Sequence, residues 1–543
     1  MTNKLDLQIH FSHVILKQEY FISWGYDMNY KEYRDKVRAC WLGKNIGGSL
    51  GTPFESQRGT FDVDFYTHDI SKGALPNDDL DLQLVWLNAA EKYGKNLDSE
   101  ILGEYWISYI VASVSEYGMG KNNMAMGIRP PLSGWYNNPL KNSCGCFIRS
   151  EIWACLAPGH PEIAVQYAYE DGICDHSEEG LYAEIFCAAL QSAAFAESDA
   201  RTLMDIGLSY IPEDCMVALA VKTAIECYDS GISWKEARKR MMHEVPGGFG
   251  VVRDDRTEFL DEPKGELGVN APNNIGITMI GWLYGEGDFS KSICTAVGCG
   301  EDADCTGATL GAILGIIGGT EAIPQKWIDP IGDEIKTICV DLTKTETLKI
   351  PKTVTEFTTR ICSLMPTFMS EHIDMLTEDG VTISMSEADG LKDSGTYKGR
   401  VGTSVKIMYT FRDKLKLHPF GVKRTSVPFD VTLDYVDGLS ISAGVEKKMK
   451  LHIENNQVIQ QWLTVKWHVP EEWVISPGKE TTVNLTQRHG ITSLTNVEYS
   501  ITPYALDKGI YDIILEIKSN GRLSTMYVPV TLILGPEIKH WGQ

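Results

Sequence analysis

The hydrophobic period of the chain changes once, between about residues 365 and 400, and that change restricts the fold to two dissimilar cores. Before it, apolar residues recur at spacings of three and four. Tyr33, Val37, Cys40 and Trp41 are the first such stripe, and the pattern predicts helices packed by one face. After it, apolar residues alternate: Val405, Ile407, Tyr409, Phe411; Phe429, Val431, Leu433, Tyr435; Leu463, Val465, Trp467, Val469; Val528, Val530, Leu532, Leu534. Alternation broken by Gly, Pro, Asn and Asp turns predicts an antiparallel β-sandwich of immunoglobulin-like type, with Pro529 suited to an edge strand. At 543 residues the chain also exceeds what one core holds. The expected division is an arm over 1–28, a helical domain over 29–370, a linker over 371–395 and the sandwich over 396–543.

Charge narrows the partners. A formal net charge of -23 argues against a nucleic-acid backbone, which needs clustered Lys and Arg. The 13 cysteines are odd in number, lie at or before Cys362 and form no CxxC pair. They read as reduced, buried thiols, and the expected location is cytoplasmic. Met1 to Tyr20 lacks the apolar core of a signal peptide. Thr306 to Gly319 is the nearest approach to a membrane span and is too short, so no membrane partner is expected. Asn484-Leu-Thr486 matches a glycosylation triplet, which has no secretion signal to support it.

Within the helical part, two acidic clusters each open a helical run. Asn77-Asp78-Asp79 precedes Leu80, Leu84 and Leu87, and alone it reads as an N-cap with first-turn acids facing the positive helix end. Asp302-Ala303-Asp304-Cys305 precedes a run in which Gly307, Gly311 and Gly315 recur every four residues, a spacing that lets a neighbouring helix approach closely. Two anions at i and i+2 are costly without a cation, and oxygen donors suit a hard ion such as Mg²⁺, Mn²⁺ or Ca²⁺. Gly43 to Glu55 is glycine-rich and ends on a carboxylate. Helices are also expected over 97–117 and through most of 147–244, with a capping box at Ser233–Glu236. Loops are expected over 118–145 and 245–274, and Asp175-His176 falls in a gap between helices.

In this order, the motifs of residues 30 to about 340 resemble the ADP-ribosylglycohydrolase family. Gly47-Gly48-Ser-Leu-Gly51-Thr-Pro-Phe-Glu55 looks like its glycine-rich helix end. Asn77-Asp78-Asp79 looks like its Ser/Thr-Asp-Asp motif, and Gly300-Glu301-Asp302-Ala-Asp304-Cys305 looks like its Gly-Gly-Asp-x-Asp-Thr/Ser motif. Gly145 to Arg149 and Asp175-His176 are similar to intervening family segments. Asn77, Glu301 and Cys305 depart from the pattern, and the family's Gly-Asn-Gly before Arg149 is missing.

The resemblance implies an all-α domain holding one or two divalent ions, Mg²⁺ ahead of Mn²⁺. It implies Asn77, Asp78, Asp79, Asp302 and Asp304 as metal ligands, and Glu55, Asp79 and Asp302 as catalytic groups. It implies Glu55, Gly145, Arg149 and His176 as substrate contacts. The implied activity is metal-dependent cleavage of an N- or O-glycosidic bond at the anomeric carbon of an ADP-ribosyl or related sugar, free or protein-linked. The alternatives are a glycosidase for a non-nucleotide glycoside, or a non-catalytic binding or structural member. Oligomeric state is not readable from the sequence.

Overall fold

The computed structural model describes residues 27–113, 115–245, 268–344, 348–377, 380–386, 388–395, 421–457, 459–486 and 494–535. From Tyr30 to Met369 the regular structure is almost entirely helical.

The central pair is the Tyr30–Gly51 helix against the Ala303–Gly318 helix. Their glycines interlock. A Cβ on Gly43 would stand 2.0 Å from the carbonyl oxygen of Gly311, one on Gly47 would stand 2.0 Å from that of Gly307, and one on Gly315 would stand 2.2 Å from that of Ala39. Any side chain at these positions would push the two backbones apart. The four-residue glycine repeat is therefore a packing seam, and it brings together the C-terminal end of one helix and the N-terminal end of the other.

The region between residues 97 and 145 holds more helix than the sequence suggests. The expected 97–117 helix is two, Ser99–Tyr109 and Ser115–Ala125, separated where Val111 N–H donates to Cys339 O at 2.8 Å. The second runs into the expected 118–145 loop, which also holds a short helix at Leu132–Trp135. Gly118 and Gly120 are helical here, at positions where close neighbours leave no room for a side chain. A Cβ on Gly120 would meet the Asp175 Cβ at 2.4 Å. The Asn270–Asn274 turn cluster likewise belongs to the start of the Ala271–Gly285 helix, while residues 246–267 of the expected loop lie outside the described residues.

The expected 371–395 linker contains a hairpin, Ile373–Thr377 and Gly380–Ser384, whose second strand pairs with Asp27–Asn29. Tyr210 OH donates to Leu391 O at 3.1 Å and Asp393 N–H to Ser209 Oγ at 2.9 Å, so this segment is tied to the helical domain.

The C-terminal region forms two five-stranded sheets. One runs Glu480–Leu485, Gln461–His468, Ile510–Ser519, Thr525–Leu534, Ser440–Ile441; the other runs Val474–Ser476, Leu494–Thr502, Lys447–Asn455, Phe429–Asp434, Gly421–Arg424. Pairing is antiparallel except between Ile533-Leu534 and Ser440-Ile441. Inward residues of both sheets, among them Leu433, Leu451, Val465, Leu515 and Val530, share one buried core. Pro529 sits opposite Ile514 on a strand whose other side is paired only at its last two residues, an edge in effect. The alternating stretch Val405–Phe411 lies outside the described residues.

The two regions meet at the 126–136 segment. Ile128 is buried in the sandwich core, and Met126, Leu132 and Tyr136 pack against it. Arg129 and Arg424 both pair with Glu100. The same segment reaches inward, where Ser133 Oγ donates to Cys174 O at 2.7 Å and Asn138 Nδ2 to Asp175 O at 2.7 Å. Among the described residues, no helix is long and apolar enough to cross a membrane. All thirteen cysteines are free thiols, and all but Cys294 are buried.

Candidate active site

The glycine seam delivers two helix entrances and one helix exit to the same place. Asn77 caps the Asp78–Tyr93 helix, its Oδ1 accepting from Asp79 N–H at 2.7 Å. Its Nδ2 donates across to Asp304 Oδ2 at 3.1 Å, joining the two acidic clusters. With Oδ1 engaged by the cap and Nδ2 by Asp304, Asn77 ties the two acidic clusters together. Asp302 precedes the Ala303–Gly318 helix, and its N–H is held by Asn274 Oδ1 at 3.1 Å. Asn274 is in turn fixed through its Nδ2 to the carbonyls of Gly268 and Asn270. Beyond the C-terminal end of the Tyr30–Gly51 helix, Glu55 stands at the solvent-exposed mouth.

Ligand atoms of Glu55, Asp302 and Asp304 lie within 4.8 Å of one another, as do those of Asp79, Asp304 and Cys305. Asp304 belongs to both groups. Asp79, Asp302 and Asp304 are 1%, 5% and 3% exposed, and Asp78 is half-buried. At an effective dielectric of ~20, two unit charges that close repel by roughly 3 kcal/mol. The carboxyls respond as such crowding demands. Burial, then Asp302 and Asp78, push Glu55 up to about 7. Burial pushes Asp302 up to about 6, with Asp78 adding to the rise. Burial and the neighbouring carboxylates hold Asp79 and Asp304 well above the usual range. Asp78 is raised by burial, against the Tyr117 hydroxyl that donates to its Oδ2 at 3.0 Å.

Both Asp79 oxygens and Asp304 Oδ1 are buried and have no hydrogen-bond donor among the described residues. Buried carboxylate oxygens in that state call for a proton or a cation. A divalent ion with oxygen ligands meets the need, so the residues present fit one.

Sequence reasoning missed the support behind the acids. Lys44, 1% exposed, donates to Glu151 Oε1 at 3.0 Å, and its charge is the main influence lowering the raised Asp79 carboxyl. Gln83 Nε2 donates to Glu151 Oε2 at 2.9 Å, and Gln191 Nε2 to Glu151 Oε1 at 3.2 Å. The available signal was a lysine inside an otherwise neutral glycine-rich helix end.

Three expected substrate contacts are placed differently. Arg149 is fully buried, with Nε to Asp171 Oδ1 at 2.9 Å, Nη2 to Asp175 Oδ1 at 2.5 Å and Nη1 to the Gly145 carbonyl at 2.5 Å. His176 is fully buried, its Nε2 within 2.8 Å of Ser143 Oγ and its Nδ1 3.0 Å from Asp175. Gly145 packs so tightly that a Cβ would meet Glu116 Oε1 at 2.4 Å. All three are buried and engaged in these contacts within the helical domain. Glu301 also turns away. Its φ of 65° is the left-handed conformation a glycine takes easily, and its carboxylate pairs with Arg58 at 2.9 Å and Arg238 at 2.7 Å.

Fold and site together define an all-helical domain with an acidic, cation-type centre where its two most closely packed helices meet a third. The ADP-ribosylglycohydrolase family model matches residues 29–351, and the chain belongs to that family. Family membership supports glycohydrolase activity in general terms, and the family is generally metal-dependent. One similar solved structure is titled "ADP-ribosylglycohydrolase-related protein complex", with 19% sequence identity, a TM-score of 0.42, and coverage of 62% of this chain and 100% of that one. No protein with a curated description matches the chain.

Proposed function

We propose that the protein is a metal-dependent glycohydrolase that cleaves the bond between the anomeric carbon of an ADP-ribosyl or related sugar and its leaving group. The observation that carries this is the set of buried, donor-less oxygens on Asp79 and Asp304. Asp78, Asp79, Asp302 and Asp304 would hold one or two divalent ions, Mg²⁺ first, with Asp304 shared between the two groups of ligand atoms. A bound ion supplies charge stabilisation and acidifies water.

The chain's own residues do the rest. Glu55, exposed at the mouth and near Asp302 and Asp304, is placed to exchange a proton with water or with the leaving group. Asn77 and Asn274 hold the two aspartate pairs in register. Lys44 balances part of the acid charge from behind. A non-nucleotide glycoside is the second reading. Burial of Arg149 and His176 removes two donors that would grip a pyrophosphate.

Replacing Asp304 with Ala tests the assignment. Several kcal/mol of charge stabilisation depend on a bound ion, so at ~1.4 kcal/mol per tenfold hydrolysis of ADP-ribosyl substrates should fall by roughly a thousandfold. Thermal stabilisation by Mg²⁺ should vanish. Full Mg²⁺ stabilisation in this variant would refute the ligand set. Hydrolysis of aryl glycosides with no action on ADP-ribosyl conjugates would select the second reading.

A further inference from the structure

A second cluster of metal-type ligands lies outside the acidic centre. His160 ends the segment before the Pro161–Gly172 helix, Glu162 is in that helix's first turn, and His372 precedes the Ile373–Thr377 strand. Ligand atoms of the three lie within 4.8 Å of one another. The His160 and His372 rings face each other with centroids 3.9 Å apart.

The tautomer of His160 is set by its surroundings. Its Nε2 lies 2.8 Å from the Ser384 carbonyl oxygen, which can only accept, so the ring proton sits on Nε2. The neutral ring then points a bare Nδ1 lone pair at Glu162 Oε1, 3.3 Å away. Two acceptors face each other, and something positive belongs between them. A second proton is one answer, but a charge-assisted N–H···O bond is normally ~2.7–2.9 Å. A metal fits the separation better. With bonds of about 2.0–2.2 Å at tetrahedral angles, two zinc ligands stand roughly 3.4 Å apart.

We propose that His160, Glu162 and His372 bind a borderline divalent cation of the Zn²⁺ class. Two imidazoles and one carboxylate favour such an ion over Mg²⁺. His160 is nearly buried while the Glu162 side chain is 43% exposed, so the ion has an entry path and a position open to water. The ion joins three parts of the chain. His160 and Glu162 lie on the helical body, and His372 leads into the hairpin whose far end, Ser384, orients His160. Bound metal would therefore clamp the 373–384 hairpin, and with it the Asp27–Asn29 strand, onto the helices.

Titration of Zn²⁺ into the full chain under excess Mg²⁺ tests this, with Co²⁺ absorption as a second readout of nitrogen ligation. The expected result is a Zn²⁺ binding step weakened more than about tenfold by His372→Ala and by Glu162→Gln, and unchanged in Asp304→Ala. Glu162→Gln keeps the side chain's shape, so it decides the matter if His372→Ala disturbs the hairpin. A Zn²⁺ step unchanged in Glu162→Gln, one abolished by Asp304→Ala, or no Zn²⁺ step in the unmodified chain would overturn the proposal and leave a proton-bridged ion pair.

Discussion

Among the buried charge groups of the helical domain, the one around Arg149 and the one around Asp79 and Asp304 are built on opposite rules. Around Arg149 the opposite charges are present in the chain: its guanidinium meets Asp171 and Asp175, stacks at 5.3 Å over Trp106, and Trp153 Nε1 donates to Asp171 Oδ2 at 3.0 Å. Around Asp79 and Asp304, among the described residues, the acids outnumber the one nearby cation, Lys44, and carboxylate oxygens remain without donors. A matched cluster can serve as structure. An unmatched one is unstable by itself and is retained where something from solution completes it.

That contrast can be broken most forcefully at Arg149. Arg149→Met leaves Asp171 and Asp175 buried without their partner, and breaking such a pair costs roughly 3–5 kcal/mol. Chemical denaturation of the variant should show that loss. Asp79→Asn should do the opposite in metal-free protein, leaving stability unchanged or raised while removing the Mg²⁺ effect. Equal destabilisation by both would erase the distinction.

Next in size is the seam that brings the acids together. Gly47→Ala places a methyl group 2.0 Å from the Gly307 carbonyl oxygen. Overpacking of this kind costs about 1–3 kcal/mol, and parting the helices also separates Glu55 from Asp302. Both the denaturation midpoint and Mg²⁺ affinity should fall together.

A smaller effect, with a sign that discriminates, is the response to pH. Glu55 and Asp302 have folded values of about 7 and about 6, above those of the unfolded chain, so ionising them opposes folding. The metal-free protein should gain a few degrees in Tm as pH falls from 8 through 6, and saturating Mg²⁺ should flatten that slope. Asp175 behaves the other way. Arg149 and His176 hold its carboxyl below the ordinary range against the effect of burial. Its contribution is complete above the unfolded value and is lost only as pH falls through the lower folded one. A metal-free Tm that declines steadily from pH 8 to 6 would contradict the unmatched reading.

The smallest expected change is at the contact between the two regions. Glu100 is 42% exposed in its side chain where it pairs with Arg424, and Arg424→Gln should shift stability by less than about 1 kcal/mol.

Much of this was legible in the chain. The three- and four-residue spacing and the alternation announced the two cores, because helix and strand periods follow from backbone geometry. The glycine repeat at 307, 311 and 315 announced a close helix contact, though not that Gly43 and Gly47 were its other half. The extents of the 99–125 helices and of the 373–384 hairpin were not legible. Gly120 and the short apolar runs there are fitted to partners distant in the chain, such as Asp175 and Asn29. Asp78, Asp79, Asp302 and Asp304 stood out as acids at helix entrances, and local chemistry alone places them there. Arg149 and His176 looked equally available in sequence. Only the tertiary structure decided that Asp79 and Asp304 keep oxygens without donors among the described residues while Arg149 meets Asp171 and Asp175, because pairing of buried charge depends on which residues distant in the chain are brought within about 3 Å.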